Sequence, residues 1–408
     1  MTDLAEAAVT DAALAGRFAP VFAAIAAGAV QREKDRELPF DAVRMLVEAG
    51  FTAVRVPLGD GGGGASLPQL VELVSQLAEA DPNVAQLLRG HFLFGERLVI
   101  TNHRSTPAWF DRFVNGELVG NAQSERSAGT EILTTISNAA SAEHPNWLVN
   151  GTKYYSTGTI FSDWVWITAV RDGIDVGAVV STRLPGVTVR DDWDGFGQKM
   201  TGSGTVVFDN VPLEPGAIDV LGEDAAHQHA DTRVFQHLFL LATMAGIGRA
   251  ARADAVQFVQ SRTRAYGVAG QSSPREDPQV QIVLGNLAAL VYSAEAVVGD
   301  VARQLEDVRL LASAPGADLN LLAAEYGRVQ IAQFTAQQVV VKNVIEATNQ
   351  LFEVGGASAI SQDRALDRHW RNARTIGSHN PAIFRQRAIG DYLLNGTLPA
   401  NPGVSSPG

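Results

Sequence analysis

Apolar positions recur along this chain with two periods, in three successive stretches. From about residue 3 to 115 the spacing is helical, as in Asp41-Ala42-Val43-Arg44-Met45-Leu46-Val47-Glu48-Ala49, which stops at Gly50. Leu67 to Ala80 predicts a helix closed by Asp81-Pro82, and another begins at Asn83 and carries Leu87-Leu88-Arg89-Gly90-His91-Phe92. Phe51 to Pro57 reads as a short extended piece. Gly59-Asp60-Gly61-Gly62-Gly63-Gly64 reads as a flexible turn, because it lacks both the Walker lysine and the G-x-G-x-x-G spacing of a phosphate loop.

From Gly116 to about Pro212 the period shortens to two. Trp147-Leu148-Val149 leads to Asn150-Gly151, a dipeptide that predicts a hairpin turn before Thr152-Lys153-Tyr154-Tyr155. Trp164 to Val170, Val176 to Val180 and Thr205 to Phe208 continue the strands, and Tyr154 and Tyr155 fall on opposite faces of theirs. No helix of useful length separates them, so the sheet should be mostly antiparallel. From about Thr232 helical spacing returns over Val234–Arg262, Pro278–Glu306 and Leu319–Phe352, long enough for a bundle. The expected class is α+β: a helical domain over 1–115, a β-barrel-like middle domain over 116–225, a helical bundle over 226–397 and a flexible tail over 398–408.

Composition narrows the function. A net charge of −12 and a pI near 5.1 argue against nucleic acid or an anionic membrane as partner. Cysteine is absent, which removes disulfides, thiol nucleophiles and thiolate metal sites. No window holds eighteen unbroken apolar residues, and the start, with Asp3, Glu6 and Asp11, does not read as a signal peptide. A cytoplasmic protein without a membrane span is the expectation. Serine-hydrolase elbows, zincin motifs and dinucleotide fingerprints are missing. His227 and His229 have metal-like spacing but stand in a polar linker without a third ligand.

Against that acidic background, residues Arg368 to Pro381 hold three arginines and two histidines within fourteen positions. The run ends a helix at Gly377 and Asn380-Pro381. It suits an anionic cofactor with a histidine over it, or arginines paired with carboxylates of neighbouring helices.

The order of domains and several strings resemble the acyl-CoA dehydrogenase superfamily over essentially the whole chain. Leu38-Pro39-Phe40 through Val56-Pro57 to Gly64 is similar to its N-terminal helix pair and glycine loop. Gly120-Asn121-Ala122-Gln123-Ser124-Glu125 stands at its flavin segment, and Asn150 to Gly158 resembles the strand that lines the flavin ring. Gly197 to Gly204 with Val206-Val207-Phe208-Asp209-Asn210-Val211-Pro212 is similar to the strand leaving the β domain. The dehydrogenases place a catalytic glutamate after the C-terminal arginine-rich helix; here Ser378-His379-Asn380 stands there. The alternative glutamate position near the start of the bundle reads Phe235-Gln236-His237-Leu238. Phe352 replaces the glutamine that precedes the Gly-Gly pair, here Gly355-Gly356, which weakens the case for FAD.

With His379-Asn380-Pro381 after Arg371-x-Ala-Arg374, the chain resembles the flavin monooxygenase branch, which includes dibenzothiophene monooxygenase. That resemblance implies reduced FMN, FAD being less favoured, and activation of O2 through a C4a-hydroperoxyflavin. It implies a separate NAD(P)H:flavin reductase, a small organosulfur or aromatic substrate and a homotetramer. The residues implied are His379, with a pKa near neutrality, as proton donor, His91 facing the same cavity, and Ser156. Flavin contacts fall to Asn121, Ser124, Tyr155, Ser156, Thr157, Arg371, Gly355 and Gly356, with Arg262 and Arg264 at the phosphate. The alternative is a flavin dehydrogenase or oxidase with a non-carboxylate base such as His379.

Overall fold

The computed structural model describes residues 9–126, 132–138, 147–213, 215–220, 226–262 and 273–399. Six helices come first: α1 (Asp11–Asp35), α2 (Phe40–Glu48), α3 (Leu67–Ala80), α4 (Pro82–Leu87), α5 (Arg89–Ile100) and α6 (Thr106–Val114). Their starts follow local chemistry. The Thr10 hydroxyl accepts from the Ala13 amide, Ser66 and Gln69 form a capping box, and Asp81 both ends α3 and caps α4. Their apolar faces meet in a cluster in which Phe51 takes Phe18, Phe22 and Phe92 edge-on, with centroids 5.1–5.7 Å apart.

The segment after α2 departs from expectation. Phe51–Ala53 and Leu58–Asp60 are single 3-10 turns rather than an extended piece. The glycine run is not a flexible turn either. Gly62, Gly63 and Gly64 donate to the carbonyls of Pro57, Ala53 and Val56, and a Cβ on Gly62 would come within 2.2 Å of the Val56 oxygen. Glycine is needed there because the loop folds onto its own backbone.

The middle strands are β1 (Val119–Ala122), β2 (Thr135–Asn138), β3 (Trp147–Lys153), β4 (Trp164–Arg171), β5 (Ile174–Ser181), β6 (Val187–Val189), β7 (Val206–Leu213) and β8 (Ile218–Val220). They order as β6-β7-β3-β2-β4-β5-β8, with β1 added on β4. β1 and β2 pair with β4 in parallel and the other pairings are antiparallel, so the sheet is mostly antiparallel. Asn150-Gly151 does not form a hairpin turn. It lies inside β3, where the register against β7 shifts between Val149 and Gly151. Gly151 takes φ +154° against Thr134, so the dipeptide makes a bulge that bends a continuous strand.

The rest is helical: α7 (Ala226–Ser261), α8 (Pro278–Ala312), α9 (Leu319–Gln350), α10 (Asp367–Gly377) and α11 (Ile383–Asn395). Helices α7, α8 and α9 pack on one another, and α7 and α8 pack on α3, which joins the bundle to the N-terminal helices. A buried ionic knot fastens that joint. Arg309 of α8 donates to Asp231 of α7 at 2.8 and 2.6 Å and to Glu96 of α5 at 2.5 Å. Among the described residues, three helices could cross a membrane by length and composition: α1, α7 from His227, and α8. The apolar window of α7 is 83% buried inside the protein, which makes it a core helix, whereas that of α8 is 22% buried. Ile282, Tyr292 and Leu310 of α8 are accordingly exposed.

Candidate functional site

Three segments that are distant in sequence converge between the sheet and the bundle. The first is the turn from α4 into α5. The second comprises residues 154–158 after β3 with the loop 193–204, and the third is the C-terminal end of α10. Close backbone approach holds them together. A Cβ on Gly158, where φ is +81°, would lie 2.1 Å from the Leu87 oxygen, and one on Gly197 would lie 2.1 Å from the Arg371 oxygen. The Asn372 side-chain oxygen accepts from the Gln198 backbone N–H at 2.6 Å, pinning the loop to α10.

They enclose a cavity of about 530 Å³. Tyr155, Trp193 and Phe196 supply aromatic surface, Ser124, Thr157, Thr201 and Ser203 hydroxyls, and Thr375, Ile376, Ser378 and His379 the α10 side. Among the described residues, no Asp or Glu lines it. Thr157 and Thr201 each hydrogen-bond Ser203 at 2.8 Å. The Gln198 amide lines the wall with both polar atoms buried and without a partner among the described residues.

His379 is an exposed residue that lines the cavity. The Arg89 guanidinium, which can only donate, lies 3.3 Å from Nε2, so that nitrogen is the acceptor. The ring proton of the neutral form then sits on Nδ1, 3.0 Å from the Asn380 amide, whose oxygen and nitrogen exchange places by a half-turn. Burial, then Arg89, then His237 hold the His379 pKa well below its ordinary value. These surroundings favour the neutral imidazole over the protonated form more than the near-neutral titration expected from the sequence. His237 stands behind it, its Nδ1 donating to the Arg233 carbonyl at 2.7 Å. Burial, with Arg385 and Arg89 nearby, pushes the His237 pKa down to about 4.

The predicted residues divide. His379, Ser124, Tyr155 and Thr157 share the cavity. His91 does not face it. Its Nε2 donates to the Thr52 carbonyl at 2.8 Å, and the ring lines a separate N-terminal cavity of about 680 Å³ with Phe92, Phe110 and Phe113. Burial pushes the His91 pKa down to about 4. Ser156 is fully buried and donates to the Gly204 carbonyl at 2.7 Å, a fold-holding contact away from the cavity. Asn121 is buried on β1 against Gly90 and does not line the cavity.

Arg371 is committed to Glu33 at 2.5 Å and Asp367 at 2.8 Å, which is the carboxylate-pairing option for the basic run. Arg262 donates to the Val354 carbonyl at 3.1 Å and lies over the Phe258 ring. Gly355 packs on that same ring, so Arg262 and the Gly355-Gly356 pair form a group of their own outside this cavity. Arg264 lies outside the described residues. His227 and His229 belong to the first turn of α7, not to a linker, and among the described residues no metal-binding group occurs. Sequence reasoning missed Arg89 and His237, although both stand in the strings singled out for their histidine or missing glutamate.

The cavity fits a flavin ring: an aromatic wall, a hydroxyl row and an orphaned buried amide answer a flat heterocycle edged with donors and acceptors. Comparison with known proteins agrees. Residues 120–211 match the family described as acyl-CoA dehydrogenase, middle domain, and residues 238–382 its C-terminal domain. Dibenzothiophene monooxygenase of Mycolicibacterium goodii is 28% identical over 92% of both chains. A probable FMNH2-dependent monooxygenase, SfnC of Pseudomonas putida, is 27% identical over 95% of this chain and 94% of its own. The crystal structure of FMN-bound TdsC from Paenibacillus sp. A11-2 superposes with a TM-score of 0.85 at 25% identity, covering 96% of this chain and 99% of that one. The chain thus belongs to the acyl-CoA dehydrogenase superfamily and, within it, to the flavin-dependent monooxygenases.

Proposed function

We propose that this protein is a two-component monooxygenase that receives reduced FMN from a separate NAD(P)H:flavin reductase and uses O2 to oxygenate a small organosulfur or aromatic compound. The observation that carries the reading is the cavity wall, which has hydroxyls, an amide and a histidine but, among the described residues, no carboxylate. Reduced FMN, once bound, would supply two electrons and two protons, so that one oxygen atom enters the substrate and the other leaves as water. The chain's residues would do the rest. Tyr155, Thr157, Ser203 and Gln198 would orient the ring by stacking and hydrogen bonds. Trp193 and Phe196 would keep water away from the reacting oxygen. His379 would hold its proton at Nδ1, shared with the Asn380 side chain, and turn from Asn380 to give it to the departing oxygen. The alternative, α-proton abstraction from an acyl thioester, needs a base, and an imidazole whose pKa is depressed is a poor one.

A homotetramer is the expected assembly. The exposed apolar residues of α8, with Ile383, Phe384, Leu393 and Leu394 of α11, offer subunit contacts, and sedimentation of the purified protein checks this. If Arg262 holds the flavin phosphate, it does so across such an interface. An acidic chain without cysteine suits the cytoplasm.

To test the function, the purified protein is mixed anaerobically with reduced FMN and an organosulfur compound, then exposed to 18O2. Product carrying one labelled oxygen is expected. Reduction of bound oxidised flavin by an acyl-CoA, with no labelled product from any sulfur compound, would contradict the reading.

A further inference from the structure

Gln198 stands on the cavity wall and takes φ +53°, in the left-handed region that a residue with a side chain enters at a cost. Both ends of its backbone are held there. The Asn372 side-chain oxygen accepts its N–H at 2.6 Å, and the Thr201 hydroxyl donates to its carbonyl at 2.9 Å. That hydroxyl is tied through Ser203 to Thr157, which anchors the carbonyl to the segment after β3. The residue is 3% exposed, yet Oε1 and Nε2 are both buried without a partner among the described residues. A buried amide with neither hydrogen bond made is costly, and a leucine would fill the same wall without that cost. A strained, doubly held backbone that fixes such a group in a cavity wall keeps it for a ligand.

We infer that the Gln198 carboxamide reads the imide edge of the flavin's pyrimidine ring, Oε1 accepting from N3–H and Nε2 donating to a neighbouring ring carbonyl. A carboxamide holds an acceptor and a donor side by side in one plane, so its complement is a flat group with a donor beside an acceptor. The flavin offers that at N3–H, which has a carbonyl on each side. An organosulfur or aromatic substrate need carry no such edge. Tyr155, Trp193 and Phe196 line the same cavity and offer aromatic surface to the ring whose edge Gln198 meets. Stacking alone leaves a ring free to rotate in its own plane, whereas two-point pairing fixes that rotation and with it the edge turned to His379. The inference rests on the flavin reading above and names the residue that sets the ring's orientation. Gln86 of α4 lines the cavity too, with a buried Oε1 that lacks a partner among the described residues, and serves as the comparison.

The test is fluorescence titration of the full chain, without turnover, using oxidised FMN and FMN methylated at N3. The methyl removes the donor and leaves the ring, its carbonyls and the phosphate. Wild type should bind the methylated flavin about tenfold or more weakly than FMN. Gln198→Leu should bind FMN about tenfold more weakly than wild type does and should hold the two flavins alike. Gln198→Met takes its place if the leucine variant does not fold. Gln86→Leu should keep the wild-type preference. The ring-carbonyl infrared bands of bound FMN should lie at higher frequency in Gln198→Leu than in wild type, because a carbonyl that loses its donor stiffens. A preference for FMN that survives in Gln198→Leu reports steric exclusion of the methyl by a tight wall and overturns the inference. Loss of the preference in Gln86→Leu alone assigns the edge to the other amide and overturns it too. Binding of both flavins equally by wild type removes the inference and leaves the flavin reading standing, whereas failure to bind FMN at all removes both.

Discussion

Two arginines are buried in this protein under opposite conditions. Arg309, at the joint between α8, α7 and α5, has two carboxylates within 2.8 Å, and Asp231 also accepts from the Tyr326 hydroxyl at 2.9 Å. Glu96 has a second cation in Arg55 at 2.6 Å. Although burial opposes it, this pairing raises the Arg309 pKa and holds Glu96 down at about 2. Arg89, beside His379, has an imidazole and, among the described residues, no carboxylate, and burial pushes its pKa down to about 10, so it still carries its charge at neutral pH. A buried charge whose partners are complete belongs to the architecture, whereas one without a counter-ion bears its desolvation cost alone.

The comparison breaks most sharply by truncation. Arg309→Met leaves Glu96 and Asp231 buried without their shared cation and should cost about 3–5 kcal/mol in urea unfolding. Arg89→Met removes an uncompensated charge and should change stability by less than about 1 kcal/mol, or raise it. Equal losses in the two variants would erase the distinction.

His91 sharpens it next. The folded ring, with a pKa of about 4, refuses a proton that the unfolded ring accepts below about 6.5. Its contribution is therefore fully present above pH 6.5 and is lost as pH falls through about 4, by about 3 kcal/mol at most. Unfolding measured across that window should show the decline, and His91→Asn should make it shallower while leaving flavin-dependent turnover in place. A turnover loss in His91→Asn as large as that in a cavity variant would return His91 to the site.

A smaller effect concerns Arg262. If it meets the flavin phosphate across a subunit interface, Arg262→Ala should weaken FMN binding by about 1.5–3 kcal/mol, as read by fluorescence titration. Unchanged affinity would place the phosphate elsewhere.

Much of this was legible in the sequence. The change of period marked where helices give way to strands and return, and the strings around Tyr155 and His379 carried the superfamily. The errors share a cause, which is that a string does not say which of its faces looks inward. Arg89 and His91 are two positions apart on one helix, about 200° around its axis, so only one of them, Arg89, reaches His379. The eye went to the histidine. Beyond β3 the chain leaves the extended form at Tyr155, where φ is +60°, so Tyr155 and Thr157 line the cavity while the Ser156 hydroxyl turns to the Gly204 carbonyl. Asn150-Gly151 has the composition of a turn, but pairing with β2 and β7 on its two sides turned it into a bulge. Arg262 with Gly355 is a long-range pairing that no local pattern encodes.

The account stands or falls on His379, and one measurement reaches it directly: product formed per reduced FMN oxidised, compared between wild type and His379→Ala at equal FMN occupancy. The account predicts that His379→Ala folds and binds FMN almost as wild type does and still consumes reduced flavin. Hydrogen peroxide should then replace the oxygenated product, with about a hundredfold loss in the rate of product formation. An unchanged product yield from a well-folded His379→Ala variant would contradict it.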